Sequence, residues 1–211
     1  MSSIDAAVQA LAQARAHHRT TPAGAVPLAD AEAAYAVQAG VARALGWFDG
    51  GVPRHWKSGG ASREALQTHA PLPPAGVWAS PADGRAWPLH FRGIEAEIAL
   101  RLARPVDAAQ ARSLDLPAAR ALVDAMCVTI EIVDSRWSEG REAPAWAKLA
   151  DLQSHGALVL GSWVPYEPGR DWSAQACVLT LGERAPQTYV GTHAMADPAF
   201  VLPAWLRHAT R

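Results

Sequence analysis

Two glutamates set two positions apart, Glu95 and Glu97 in the segment GIEAEIAL, are the residues of this chain best spaced for chemistry. In an extended strand residues i and i+2 project from one face, so the spacing aims both carboxylates the same way. Adjacent anions need a cation, and oxygen-only ligation favours a hard divalent ion such as Mg²⁺, Mn²⁺ or Ca²⁺ over zinc, which more often recruits His or Cys. Taken alone, the pair is more simply read as the acidic solvent face of an edge strand. The apolar members of the segment, Ile94, Ala96, Ile98, Ala99 and Leu100, are expected to be buried. A second segment, TIEIVDSR, sets Glu131 in the middle of an apolar run, where a carboxylate is costly unless it is paired or bound to metal. Glu131 is therefore the third candidate ligand. Asp134 and Arg136 share a strand face by period; either they pair with each other, or Arg136 holds a substrate carboxylate in bidentate fashion.

Lysine is scarce: of 19 Lys and Arg residues, only Lys57 and Lys148 are lysines. Where Arg is the general surface cation, the few lysines are candidates for positions that need a compact, titratable ammonium. Lys57 stands in RHWKSGG, beside an aromatic residue and just before two glycines that allow close approach of a ligand. There it can bind a carboxylate or enolate, or donate a proton; the plain alternative is a solvated loop lysine. Lys148, His155 and His193 are weaker candidates for polar walls of the same site, since isolated histidines are more often structural.

These residues must be positioned by a mixed set of elements. Apolar stripes at Ile4, Val8 and Leu11 and at Leu28, Ala31, Tyr35, Val41 and Leu45 predict two helices in the first 50 residues, the first capped by Ser2 or Ser3 and the second ending at Gly46. The Gly- and Pro-rich stretch 50–93 predicts loops and short strands. Beyond it the patterns predict strands at 86–91 and 94–102, a helix at 116–125, and a strand at 127–133. A turn or short helix follows at 146–154, then a strand through GALVLGSWV, another at 174–181, and a last amphipathic helix in PAFVLPAWLRHA. The glutamate pair and Glu131 then sit on different strands. The expected organisation is an N-terminal helical segment, 1–50, and a metal-binding β-rich unit, 51–211.

Composition narrows the functional classes. Half of the 211 residues are hydrophobic, enough for a sizeable core, and the formal net charge of -1 supplies no basic field for nucleic acid. Cys127 and Cys177 stand far apart without a CxxC, as expected of reduced structural thiols rather than a disulfide scaffold. No apolar run approaches the ~18 residues needed to span a bilayer, and the N-terminus lacks the basic and apolar regions of a signal peptide. A cytoplasmic protein with no nucleic-acid or membrane partner is expected.

The segments GIEAEIAL, TIEIVDSR, KLADLQSHGALVLG and GTHAMADPAFVLPAWLRHA together resemble the fumarylacetoacetate hydrolase superfamily, in particular its branch of 2-keto-4-pentenoate hydratases and 4-oxalocrotonate decarboxylases. The similarity runs from about Tyr35 to Arg211. It implies an α+β fold, a mixed β roll or barrel of the fumarylacetoacetate hydrolase C-terminal-domain type behind an N-terminal helical segment. It implies Glu95, Glu97 and Glu131 as ligands of Mg²⁺ or Mn²⁺, Lys57 as the catalytic lysine and Lys148 as a second active-site lysine, which joins Arg136 and His193, read from the residues alone, as the substrate-binding candidates. The implied activity is hydration of a small 2-oxo acid of the 2-hydroxypenta-2,4-dienoate type by a homo-oligomer such as a dimer, with 2-oxo-3-hexenedioate decarboxylation or acylpyruvate hydrolysis as alternatives. Two places depart from the hydratase pattern: the loop after Gly76 reads VWASPAD, with no acid at the point where hydratases commonly have one, and ADLQSHG replaces the usual ADNASSG. Family members also continue past the WLRHATR-like helix into a TTG-like strand and turn, so the C-terminal strands of the roll are expected to be missing here. A non-catalytic oxo-acid or metal-binding protein, or a partner subunit, is the alternative of another class.

Overall fold

A computed structural model describes residues 2–191 and 193–211. Contacts group the chain into two units: residues 1–57, 69–97 and 129–161 form one, and 58–68, 98–128 and 162–211 the other.

The first unit begins with the two helices expected from the apolar stripes. Helix α1 (Ser3–Ala16) starts at a capping box, in which Ser2 Oγ accepts from the Asp5 backbone and the Asp5 carboxylate accepts from the Ser2 backbone. Helix α2 (Ala31–Ala44) is capped by Asp30, which accepts from Ala33 N at 2.8 Å. Their stripes bury Ala7, Leu11, Val37 and Val41 in one cluster with Trp137 and with Ala147 and Leu149 of a short helix, α5 (Ala145–Ala150). Trp137 is satisfied there, its indole N–H donating to Ala147 O at 2.7 Å.

Strands β1 (Trp56–Gly59) and β2 (Thr68–Pro71) form a two-stranded sheet. The larger sheet uses β3 (Val77–Ala79), β4 (Gly93–Leu102), β5 (Val123–Val133), β6 (His155–Leu160) and β7 (Val164–Pro165), in the order β3-β6-β5-β4 with β7 also on β5. It is mixed: β3 runs parallel to β6, whereas β6 and β7 are antiparallel to β5. Glu131 faces Leu158 in the register, which then slips at a bulge between Ile132 and Val133. The α+β class expected from sequence holds, with this sheet an open path rather than a closed barrel among the described residues.

In the second unit α3 (Ala108–Ser113), α4 (Leu116–Arg120) and α6 (Leu202–Ala209) surround Ala111, Ala119, Leu122, Ala199, Leu202 and Leu206. Asp197 accepts from Ala199 N at the head of the last helical segment and pairs with Arg120. Strands β8 (Ala176–Leu179) and β9 (Gln187–Val190) pair antiparallel. No helix among the described residues is long and apolar enough to cross a membrane.

Three expectations are corrected. Residues 86–91 form no strand, because the backbone N–H groups of His90 and Phe91 are claimed by Asp134 Oδ1 at 2.8 and 2.6 Å instead of by a neighbouring strand. The helix predicted to reach 125 stops at Arg120, since β5 begins at Val123. Ile94 is 43% exposed and Ala96 is exposed too, β4 being the terminal strand of the sheet order.

Asp151 anchors the first unit. It is fully buried, takes Arg136 through both the backbone N–H and Nε at 2.9 Å, and takes Arg15 Nη2 at 2.8 Å. Replacing one member of such a buried ion pair strands the other charge, so Asp151→Ala should lower unfolding stability in urea by about 3–5 kcal/mol. A loss under about 1 kcal/mol would show that the two guanidiniums find other partners.

Candidate metal centre

Two strands bring the carboxylates together. Glu95 and Glu97 project from the same face of β4, and Glu131 from its neighbour β5, so that one oxygen of each carboxylate lies within 4.8 Å of the others. Two oxygens on opposite sides of a divalent ion lie about 4–5 Å apart, twice the bond length, and the cluster matches that span. Exposure falls steeply across it: Glu95 is exposed, Glu97 half-buried and Glu131 only 1% exposed.

Glu131 is held at both oxygens. Lys57, on β1, donates from Nζ to Oε2 at 2.5 Å, and His155, the first residue of β6, faces Oε1 with Nδ1 at 2.8 Å. An ionised carboxylate only accepts, so the proton of that second bond sits on His155 Nδ1. Burial drives the Glu131 carboxyl upward, yet the hydrogen bond from His155 and the charge of Lys57 outweigh it and hold the group below its ordinary range. Burial also lowers His155, favouring its neutral ring against the pull of Glu131. Each carboxylate oxygen keeps a lone pair after accepting one hydrogen bond, so Glu131 can still serve as a ligand.

The turn before β6 explains how these groups arrive. Leu152, Gln153 and Ser154 all take left-handed backbone angles, with φ of 55, 56 and 61°, in a stretch without glycine. That backbone turns the Gln153 carbonyl toward Lys57 Nζ at 3.3 Å and delivers His155 to Glu131. The next residue must be glycine, because a Cβ on Gly156 would stand 2.6 Å from Ile132 O and 2.8 Å from Asp134 Cβ.

The donor set fits a divalent cation. Three carboxylates face a single ammonium, and the excess charge shows in Glu97, whose pKa is pushed up from 4.5 to about 7 by burial first and then by the Glu131 charge, with Lys57 pulling the other way. A cation bound among the three would remove that frustration.

The remaining residues singled out from sequence lie elsewhere. Arg136 is buried and spends its guanidinium inside the protein, Nε on Asp151, Nη1 on Asp134 at 3.2 Å and Nη2 on the carbonyls of Asp134 and His155. The pairing alternative is the one seen, and a substrate carboxylate would find no free fork. Lys148, on α5, donates to Arg141 O at 3.2 Å and makes no bond to the cluster among the described residues. His193 belongs to the second unit, where Nδ1 accepts from Met195 N at 3.3 Å. Conversely, Asp151 drew no notice in sequence and His155 only slight notice. Their signal was ADLQSHG itself, two ionisable groups bracketing a short turn between apolar segments.

No protein-family model matches the chain, and no curated protein matches it by sequence. Solved structures do match in three dimensions. The chain is similar to 4-oxalocrotonate decarboxylase from Pseudomonas putida G7 complexed with magnesium and adipate, at 16% identity and a TM-score of 0.76, over 97% of this chain and 80% of that one. The same enzyme complexed with calcium and acetate matches at 17% identity and 0.76, over 97% and 79%. The chain therefore shares the fold of that decarboxylase.

The raised Glu97 carboxyl fixes the sign of a pH effect. The folded, metal-free protein keeps a proton that the unfolded chain releases near 4.5, so this stabilisation is complete below about 4.5 and is lost as pH rises through about 7. Unfolding measured in chelator from about pH 5 to about pH 8 should show the wild type losing stability relative to Glu97→Gln. A constant difference across that window would place the Glu97 pKa in the ordinary carboxylate range.

Proposed function

We propose that this chain is a metal-dependent lyase of the fumarylacetoacetate hydrolase superfamily, a hydratase of 2-hydroxypenta-2,4-dienoate-like 2-oxo acids that uses Mg²⁺ or Mn²⁺. The observation that carries the reading is the meeting of Glu95, Glu97 and Glu131 around one point with Lys57 bonded to the most buried of them. The shared fold, seen with magnesium or calcium in 4-oxalocrotonate decarboxylase, supports it. A cytoplasmic homo-oligomer belongs to the same reading.

Glu95, Glu97 and Glu131 would hold the ion. When bound, it supplies a Lewis acid for the carboxylate and 2-oxo oxygens of the substrate. Lys57 is assigned to neutralise or protonate the reacting oxygen system as the dienol tautomerises, since its ammonium is kept close by Glu131 and the Gln153 carbonyl. His155 keeps Glu131 ionised and fixes its orientation. The same groups serve decarboxylation, in which carbon dioxide leaves and no water needs activating. A specific feature favours this second reading: the stretch Pro73-Pro74-Ala75-Gly76-Val77-Trp78 offers no carboxylate to position water, and the enzyme whose two complexes were compared above is a decarboxylase.

Calorimetry with Mg²⁺ and Mn²⁺ should show binding to the wild type and none to the Glu95→Gln/Glu97→Gln double variant. Unchanged binding would remove the metal from the reading. Lys57→Ala should lower kcat by about 10²- to 10⁴-fold on whichever substrate turns over. A panel of 2-hydroxydienoates, 2-oxo-3-hexenedioate and acylpyruvates, followed for water addition, carbon dioxide release and chain cleavage, separates the reactions. Binding of oxalate without any turnover would instead mark a non-catalytic oxo-acid-binding protein.

A further inference from the structure

The first unit contains a cavity of about 540 Å³ whose walls include none of Lys57, Glu95, Glu97 or Glu131. That volume lies within the range of small-molecule sites, about 300–1,000 Å³. Its walls are mainly apolar, with the two indoles of Trp47 and Trp87 and the side chain of Leu89 among them. Its charged walls are Arg15, Asp134 and Arg136, together with the imidazoles of His18, His90 and His155.

Most of this polar lining is already committed. Arg136 is saturated by Asp151, Asp134 and two carbonyls. Asp134 accepts from Arg136 and from the backbone N–H groups of His90 and Phe91. His90 faces Asp134 with one ring nitrogen and the His18 carbonyl with the other. Arg15 differs. One of its nitrogens, Nη2, donates to Asp151 at 2.8 Å and its guanidinium lies 5.1 Å over the Trp47 ring, while Nε and Nη1 have no partner among the described residues. The Arg15 side chain is 14% exposed, so those N–H groups keep limited access to solvent.

From this leftover donor set in an aromatic cavity, we propose a second small-molecule site that takes an aromatic monocarboxylate, its carboxylate on Arg15 and its ring packed on Trp47 and Trp87. The two N–H groups left over, Nε and Nη1, lie on different sides of the guanidinium, so a carboxylate takes a single charge-assisted bond from Arg15, and Asp134 close by suits a monoanion better than a doubly charged phosphate. Flat aromatic walls gain most from a flat apolar ligand, which buries its ring without leaving a polar group unpaired. Burial and the neighbouring Arg136 charge lower Arg15 to about 10 despite Asp151, the response of a cation short of negative charge that an incoming carboxylate would supply. The site also touches the carboxylate cluster through one wall, since His155 lines the cavity and holds Glu131 through Nδ1.

The test is calorimetry with benzoate on the full chain in chelator, which keeps the outcome independent of the metal reading. Saturable one-site binding is expected, unchanged in Glu97→Gln. Benzyl alcohol, which lacks the charge, should bind at least about tenfold more weakly, as loss of a charged hydrogen bond implies. Arg15→Lys keeps a cation for Asp151 but removes the leftover N–H donors and should weaken benzoate about tenfold. Ala16→Trp, at an exposed position on the cavity rim, should block binding while circular dichroism reports an intact fold. No saturable heat, equal binding of benzyl alcohol, loss of binding in Glu97→Gln, or full binding by Ala16→Trp would each overturn the proposal.

Discussion

A carboxylate placed in the middle of a sheet strand, with almost no access to water, has to be compensated from within the protein, and Glu131 is that carboxylate. Its two oxygens recruit a lysine 74 positions earlier and a histidine 24 positions later, so one buried charge ties β1, β5 and β6 to a common point. Glu95 and Glu97 then add charge that Lys57 alone does not balance, and burial together with the Glu131 charge pushes the Glu97 carboxyl upward. The cation site follows from this constraint: the sheet concentrates negative charge at one place and leaves room there for more positive charge than the chain itself provides.

A second buried network keeps the first in position. Asp151 and Asp134 share Arg136, Asp151 also takes Arg15, and Arg136 reaches the carbonyl of His155, the residue that orients Glu131. The bulge between Ile132 and Val133 lies between Glu131 of β5 and Asp134 just beyond its end, so that Glu131 serves the carboxylate cluster while Asp134, three positions on, serves the loop at His90 and Phe91. One short segment thus supplies a ligand at one point and structural glue a few residues later.

Much of this was legible in residue patterns. The i, i+2 spacing of Glu95 and Glu97 put both on one face, a buried acid was evident from the apolar run around Glu131, and the scarcity of lysine drew notice to Lys57. The helices of the first 50 residues carried their own caps and stripes. What failed were contacts made over long distances in sequence. Arg136 looked available because its partner Asp151 lies 15 residues on, across a turn no local rule predicts, and residues 86–91 looked like a strand because nothing nearby announces that Asp134 will take their N–H groups. Ile94 and Ala96 looked buried because apolar alternation cannot tell a terminal strand from a central one. The cavity beside Arg15 has the same character: its walls come from six separated stretches of the chain.

The left-handed turn at Leu152, Gln153 and Ser154 has a consequence in time. Three such residues cost roughly 1–2 kcal/mol each when formed alone, and the bonds that offset this reach Lys57, 96 residues away from Gln153, and Glu131 on another strand. The turn has little reason to exist until those distant strands are in place, so it belongs to the last events of folding.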